Sequence, residues 1–116
     1  MARKKIDIKK IIKVYLKKFP KDIKVKGVFL FGSYVRGEAG KHSDVDIIII
    51  SPDFKKLPFL KRLELLSHIY GSSDVSRLVP MDILGYTPEE FKEIDKESIV
   101  MKEAKKEGKM IYKAPR

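Results

Sequence analysis

The sequence contains no cysteine among its 116 residues, which excludes a disulfide scaffold, a thiolate metal site and a cysteine nucleophile. It has no apolar run approaching the roughly 20 residues that a helix needs to cross a bilayer. Its first residues pass from basic side chains directly into amphipathic sequence, without the apolar core of a secretory signal. We therefore expect a cytoplasmic protein that is neither exported nor embedded in a membrane.

Negative charge is scarce relative to positive charge. Lysine and arginine number 26 against 16 acidic residues, giving a formal net charge of +10. Such a balance attracts polyanions, so nucleic acid, nucleotide phosphates or an acidic protein are candidate partners. Most of the lysines are spread along every segment, as on a solvated surface, and the clustered basic stripe interleaved with aromatics that is typical of nucleic-acid-binding domains is missing. Nucleic acid is therefore not expected to be the main partner.

The chain is long enough for one compact domain, expected to span residues 1–116, and its 43% hydrophobic composition can supply a core. Two segments space their apolar residues as amphipathic helices do, one at 8–19 and one from Pro58 to Gly71. Three short apolar runs rich in β-forming residues predict strands, at 25–31, 44–50 and 79–86.

The last third of the chain predicts further helices. Thr87, Pro88 and Glu90 have the spacing of a capping box, and a second helix is predicted over 97–107, followed by a candidate strand at 109–113. Strands mixed with helices in so short a chain predict an α/β (α+β) fold, a small mixed β-sheet with helices packed on it. The first two strands should be antiparallel, because their connection is too short for a crossover helix.

Two aspartates, Asp44 and Asp46, stand directly ahead of four isoleucines at the start of a predicted core strand. Side chains alternate along a strand, so the two carboxylates share a face, roughly 7 Å apart along the backbone. They repel each other unless one keeps its proton or a cation binds both, and Mg²⁺ prefers such oxygen ligands. Alone, the pattern is common, and it would favour the simpler interpretation, in which Asp44 caps a turn and Asp46 faces solvent.

Two neighbouring features strengthen the metal interpretation. Gly32 and Ser33 directly follow a buried strand, where a glycine allows close approach of the backbone and the first amides of a helical turn can bind phosphate, with Arg36 one turn later. Asp82 lies inside the apolar strand VPMDIL, where a charge is rarely placed without a partner. If the third strand lies beside the second, three carboxylates meet opposite the phosphate-binding turn. That arrangement suits metal-assisted phosphoryl or nucleotidyl transfer.

The stretch GSYVRGEAGKHSDVDIII resembles the signature of the minimal nucleotidyltransferases of the DNA polymerase beta superfamily: Gly-Ser, ten residues, then Asp-x-Asp, with a third carboxylate on a later strand. The resemblance covers nearly the whole chain. It implies a nucleotidyltransferase fold that transfers a nucleoside monophosphate, usually AMP from ATP, to a hydroxyl group with Mg²⁺. It also implies three residues that are both catalytic and metal-binding, Asp44, Asp46 and Asp82, and three that bind the nucleotide, Gly32, Ser33 and Arg36.

Family members of this size resemble the antitoxin half of a toxin–antitoxin pair. The resemblance implies that the partner is a small helical HEPN-type RNase toxin, which the antitoxin binds and, in some members, modifies by attaching AMP to a tyrosine. We expect the acceptor to be brought by another molecule, because the chain leaves no residues for an acceptor-binding domain. Two alternatives remain open at this point: a non-catalytic module of the same fold that occludes its partner, and a basic nucleic-acid-binding domain.

Overall fold

The computed structural model describes residues 7–36 and 44–115. The elements are the helices α1 (Ile8–Leu16), α2 (Ser33–Arg36), α3 (Phe59–Gly71), α4 (Pro88–Lys92) and α5 (Ile99–Glu107), and the strands β1 (Gly27–Phe31), β2 (Val45–Ile50), β3 (Met81–Tyr86) and β4 (Lys109–Lys113). Short 3₁₀ turns lie at Pro52–Lys56, Asp74–Arg77 and Ile94–Lys96. Within the described ranges no helix is both long enough and apolar enough to cross a membrane.

The four strands form one mixed sheet in the order β3-β2-β1-β4. β2 pairs antiparallel with β1, as predicted from their short connection, and parallel with β3. β4 pairs antiparallel with the other edge of β1. The predicted α+β architecture, a small mixed sheet with helices packed on it, is confirmed. The sequence had not indicated which edge β4 would take.

The two faces of the sheet belong to two separate hydrophobic clusters. Alternation along β2 sends Val45, Ile47 and Ile49 to a face that packs against α1 and α3. Ile48 and Ile50 point to the opposite face, with side chains of α4, α5 and the 3₁₀ turn at Ile94–Lys96. We call this opposite face the second face. Asp46 belongs to it by the same alternation, at the end of the sheet where the apolar cluster stops.

Local signals explain where several elements begin. The capping box is present as predicted: the Thr87 side chain accepts a hydrogen bond from the Glu90 amide at 3.1 Å, and the Glu90 carboxylate accepts one from the Thr87 amide at 2.7 Å. Pro80 precedes β3, and its carbonyl accepts from the Val45 amide at 2.9 Å, which aligns the starts of β3 and β2. The first helix is shorter than the predicted 8–19, because its α-helical hydrogen bonding ends at Leu16 and turns follow.

Arg62 of α3 is a buried cation, only 5% exposed. Its guanidinium donates to the Leu57 carbonyl at 2.9 Å, the Gly85 carbonyl at 3.2 Å and the Glu90 carboxylate at 2.6 Å. Burial alone would raise the pKa of Glu90, but hydrogen bonds from Arg62 and from the Thr87 amide outweigh it and lower that pKa. Arg62 therefore ties α3 to β3 and to the start of α4.

Replacing Arg62 with alanine should lower the free energy of unfolding by about 2 kcal/mol, because buried carbonyl oxygens lose their donor and Glu90 loses its cation. The matched control is Lys61→Ala, which removes the neighbouring cation from an exposed pair with Glu64 at 3.4 Å. We expect the control to change stability by less than about 0.5 kcal/mol. Urea denaturation of both variants checks this. Equal losses would show that the buried contacts of Arg62 contribute nothing beyond those of a surface ion pair.

Candidate active site

Strand register brings the predicted acidic residues together at one end of the sheet. Asp46 of β2 is the register partner of Phe31 on one side and of Asp82 on the other. Directly paired residues on adjacent strands point to the same face and lie about 4.8 Å apart between strands. Asp82 therefore sits beside Asp46 on the second face, and Gly32, which follows Phe31, lies on the opposite side of Asp46.

Two features of position 32 require a glycine: the backbone conformation and the closeness of the Asp46 side chain. Its φ of +81° lies in the region that favours glycine, and it is the only residue with positive φ in the described part of the chain. A Cβ at this position would lie 3.2 Å from the Asp46 Cγ and closer still to a carboxylate oxygen. The bend before α2 can thus approach the Asp46 carboxylate only because no side chain intervenes.

Asp82 interacts with both of the other aspartates. Both lie close enough to its carboxyl group to influence its ionisation. The pKa of Asp82 is raised, first by loss of solvent around the carboxyl group and then by the negative charge of Asp44 and the hydrogen bond with it, while the hydrogen bond with Asp46 acts in the opposite direction. Asp82 therefore lies near both Asp44 and Asp46 at this end of the sheet; their joint role as a metal-binding and catalytic set stays a prediction.

The donor chemistry of this cluster fits a hard divalent cation, because every side-chain donor in it is a carboxylate oxygen. Among the described residues no group of three or more acidic, histidine or cysteine side chains is placed so that it could hold a metal ion. Mg²⁺ does not need three protein ligands; it usually binds one or two carboxylates and completes its shell with water and substrate phosphates. The cluster is thus compatible with Mg²⁺ held jointly by protein and nucleotide.

Ser33 and Arg36 stand at the two ends of α2, so the predicted helical turn directly after Gly32 is present. Their side chains lie outside the described part of the structure, as do residues 37–43 of the connection to β2. Binding of a phosphate by these two side chains stays a prediction.

Tyr70 of α3 lies near the site, and its proximity was not predicted from the sequence. Its ring packs against Tyr15, with ring centres 6.5 Å apart. Its hydroxyl donates to the Val79 carbonyl at 2.6 Å, just before β3. Burial raises the pKa of Tyr70, a hydrogen bond from Met81 opposes the rise, and the charges of Asp44 and Asp82 add to it. The helical spacing of Leu63, Ser67 and Tyr70, which places them on one face of α3, was the sequence pattern that could have indicated this proximity.

The sequence profile described as nucleotidyltransferase domain matches residues 8–110. The chain belongs to this family. The matched range contains Gly32 and all three aspartates, and the sequence-based assignment to a nucleotidyltransferase enzyme is confirmed at this level.

Named relatives extend the comparison. Over 64 residues the nucleotidyltransferase is 38% identical to a Methanocaldococcus jannaschii protein, MJ1215, provisionally named a protein adenylyltransferase; the match covers 54% of this chain and 71% of the relative. It is 39% identical over 64 residues to protein adenylyltransferase MntA of Thermococcus cleftensis, covering 54% of this chain and 62% of MntA. The matches thus span only part of each relative's length.

A solved toxin–antitoxin complex with AMP-PNP contains a chain of the same fold. Its TM-score is 0.58, with 24% identity, and the alignment covers 94% of this nucleotidyltransferase and 75% of that chain. At this level of identity the likeness shows the fold.

Two grooves flank Asp46 in the nucleotidyltransferase. The α3 groove, of about 490 Å³, runs between α3 and β3 and is lined by Leu63, Ser67, Tyr70, Met81 and Asp82. The α5 groove, of about 420 Å³, is lined by Gly32, Ile99, Val100 and Glu103. Phe31 and Asp46 border both grooves, whereas Asp82 lines the first and Gly32 the second.

Proposed function

We propose that this nucleotidyltransferase, acting as a single minimal domain over residues 1–116, transfers AMP from ATP to a hydroxyl group of a protein partner with the help of Mg²⁺. The observation that carries the proposal is the pairing of Asp46 with Asp82 beside Asp44, on the opposite side of Asp46 from the glycine bend. Converging carboxylates are unfavourable unless a cation joins them. A domain that only binds a partner has no need of them.

In the proposed reaction Asp44 and Asp46 would hold the Mg²⁺ ion that accompanies the nucleotide, and Asp82 would complete the acidic cluster. When bound, the ion would neutralise negative charge on the phosphates. The backbone at Gly32, with Ser33 and Arg36, would bind the triphosphate.

The acceptor oxygen forms a bond to the α-phosphorus while the bond from that phosphorus to pyrophosphate breaks. The acceptor proton passes to the Asp82 carboxylate, which would act as the general base. The products are the AMP-modified acceptor and pyrophosphate.

We propose a toxin of the HEPN type as the protein partner, bound in a hetero-oligomer in the cytoplasm, where ATP is available. Support comes from the MntA name of one relative and from the toxin–antitoxin complex that shares the fold. The toxin carries the acceptor hydroxyl, and its modification would neutralise it.

The test is to incubate the protein with Mg²⁺, ATP labelled in the α-phosphate, and the product of the neighbouring gene. We expect label on that product, and we expect none when Asp44 is replaced by asparagine or when a chelator is present. If the Asp44→Asn, Asp46→Asn double variant still inhibits the partner fully and the wild type transfers no label, the protein acts by occlusion and the proposal is wrong.

A further inference from the structure

The two grooves lie on opposite sides of the carboxylate that both share. Across the sheet the order is Gly32, then Asp46, then Asp82, because β1, β2 and β3 are consecutive neighbours. Gly32 lines only the α5 groove and Asp82 only the α3 groove. A molecule bound across Asp46 therefore has one end in each groove.

Nucleotidyl transfer proceeds by in-line displacement, in which the attacking and leaving oxygens stand on opposite sides of the phosphorus. If the leaving pyrophosphate lies toward the Gly32 bend, the acceptor oxygen must approach from the side of Asp82. We infer that the α3 groove is the entry for the acceptor side chain and that Ser67 is a specificity-determining residue on its wall. This inference rests on the function proposed above.

The walls of the α3 groove indicate the kind of acceptor it takes. Leu63, Ser67 and Tyr70 are spaced at i, i+4 and i+7, so they share one face of α3. Leu63 and Met81 offer apolar surface, and the Tyr70 hydroxyl already donates its hydrogen to Val79. A volume of about 490 Å³ that is open to solvent accommodates a side chain presented by a protruding segment. The groove therefore suits a hydroxyl carried on an apolar side chain of a protein.

The α5 groove is left for the nucleoside of ATP. Ile99 and Val100 are 82% and 74% exposed and stand beside Gly32 on its rim. Apolar side chains at that position can cover the face of a base while the phosphates extend toward the bend. Glu103, one turn after Ile99, and Glu107, one turn further, also line this groove, and their negative charge disfavours a triphosphate lying along α5 itself.

Three tryptophan substitutions test the roles of the two grooves separately. Ser67→Trp fills the α3 groove from an exposed position, and Val100→Trp fills the α5 groove. His68→Trp is the matched control, because His68 is exposed and lies one residue further along α3, about 100° around the helix. KM is measured for ATP and for the protein that the wild type labels in the transfer experiment.

We expect Ser67→Trp to raise KM for the acceptor about tenfold or more without changing KM for ATP, since a filled pocket discriminates by such factors. Val100→Trp should raise KM for ATP alone, and His68→Trp should change neither. If Ser67→Trp leaves the acceptor KM unchanged, or raises the ATP KM instead, the groove assignment is wrong while the proposed function stands. Failure of the wild type to label any protein overturns the proposed function and this inference together.

Discussion

Replacing Asp82 with asparagine is expected to reduce nucleotidyl transfer sharply and, in the presence of a chelator, to raise the thermal midpoint of the protein slightly. The loss of transfer should reach about 10³-fold, because the variant loses both a carboxylate of the acidic cluster and the base that accepts the proton. The gain in stability follows from removing one of three carboxyl groups that crowd the same end of the sheet. If the Asp82 carboxylate stabilised the fold, its replacement would lower the thermal midpoint instead.

The pH dependence of this gain has a defined direction. The pKa of Asp82 in the folded protein is raised, so the fold favours its protonated form. The stabilisation that comes from protonated Asp82 is therefore complete below the pKa of an unfolded aspartate, about 3.9. It is lost as pH rises through the higher pKa of Asp82 in the folded protein. The difference in midpoint between Asp82→Asn and wild type should accordingly be largest near neutral pH and vanish in acid.

Thermal unfolding and label transfer are measured on the same preparations, with and without Mg²⁺ and ATP. Mg²⁺ with ATP should stabilise the wild type more than the variant, because a ligand stabilises only the form that binds it. Asp22→Asn, at an exposed aspartate in the turn region after α1, makes the same change in charge and should alter neither readout. A midpoint for Asp82→Asn below that of wild type in chelator would contradict the crowding argument.

Replacing Gly108 with alanine should reduce the free energy of unfolding by about 3 kcal/mol or more, because the added methyl group has no space. Gly108 ends α5 and leads into β4. Its φ of −76° is available to any residue, so backbone strain is not the cause. A Cβ there would lie 2.6 Å from the Leu30 carbonyl oxygen and against the ring of Phe29, both in the central strand β1.

Gly71→Ala provides the matched comparison for this substitution. Gly71 is the last residue of α3, and a Cβ on it would meet no atom within 4 Å. Alanine is favoured over glycine in helices by up to about 1 kcal/mol, so this variant should be unchanged or slightly more stable. Urea unfolding of the two variants measures the difference. Similar midpoints would mean that β1 and α5 move apart at little cost.

The features that the sequence predicted correctly depend on short-range patterns. Alternation along β2 placed Asp46 on a face opposite Ile47, and the spacing of Thr87 and Glu90 located the start of α4. The meeting of Asp46 with Asp82 needed one further assumption, that β2 and β3 are neighbours, and the parallel register satisfies it. These steps require only backbone geometry and strand order.

The features that the sequence did not predict depend on contacts between distant parts of the chain. Arg62 looks like one more surface cation, yet it is buried through partners 23 and 28 residues away, Gly85 and Glu90. Tyr70 has the spacing of a core residue and also borders the acidic cluster. The positions of the two grooves depend on how α3 and α5 pack against the sheet. No local sequence pattern determines that packing.

The antiparallel pairing of Phe31 with Asp46 sets the distance between the glycine bend and the Asp46 carboxylate through the ladder of β1 and β2. The parallel pairing of Asp46 with Asp82 does the same on the other side. A shift of either register by one residue would turn Asp46 to the other face relative to its neighbours, so the alignment of whole strands, rather than any single contact, keeps the reacting groups together.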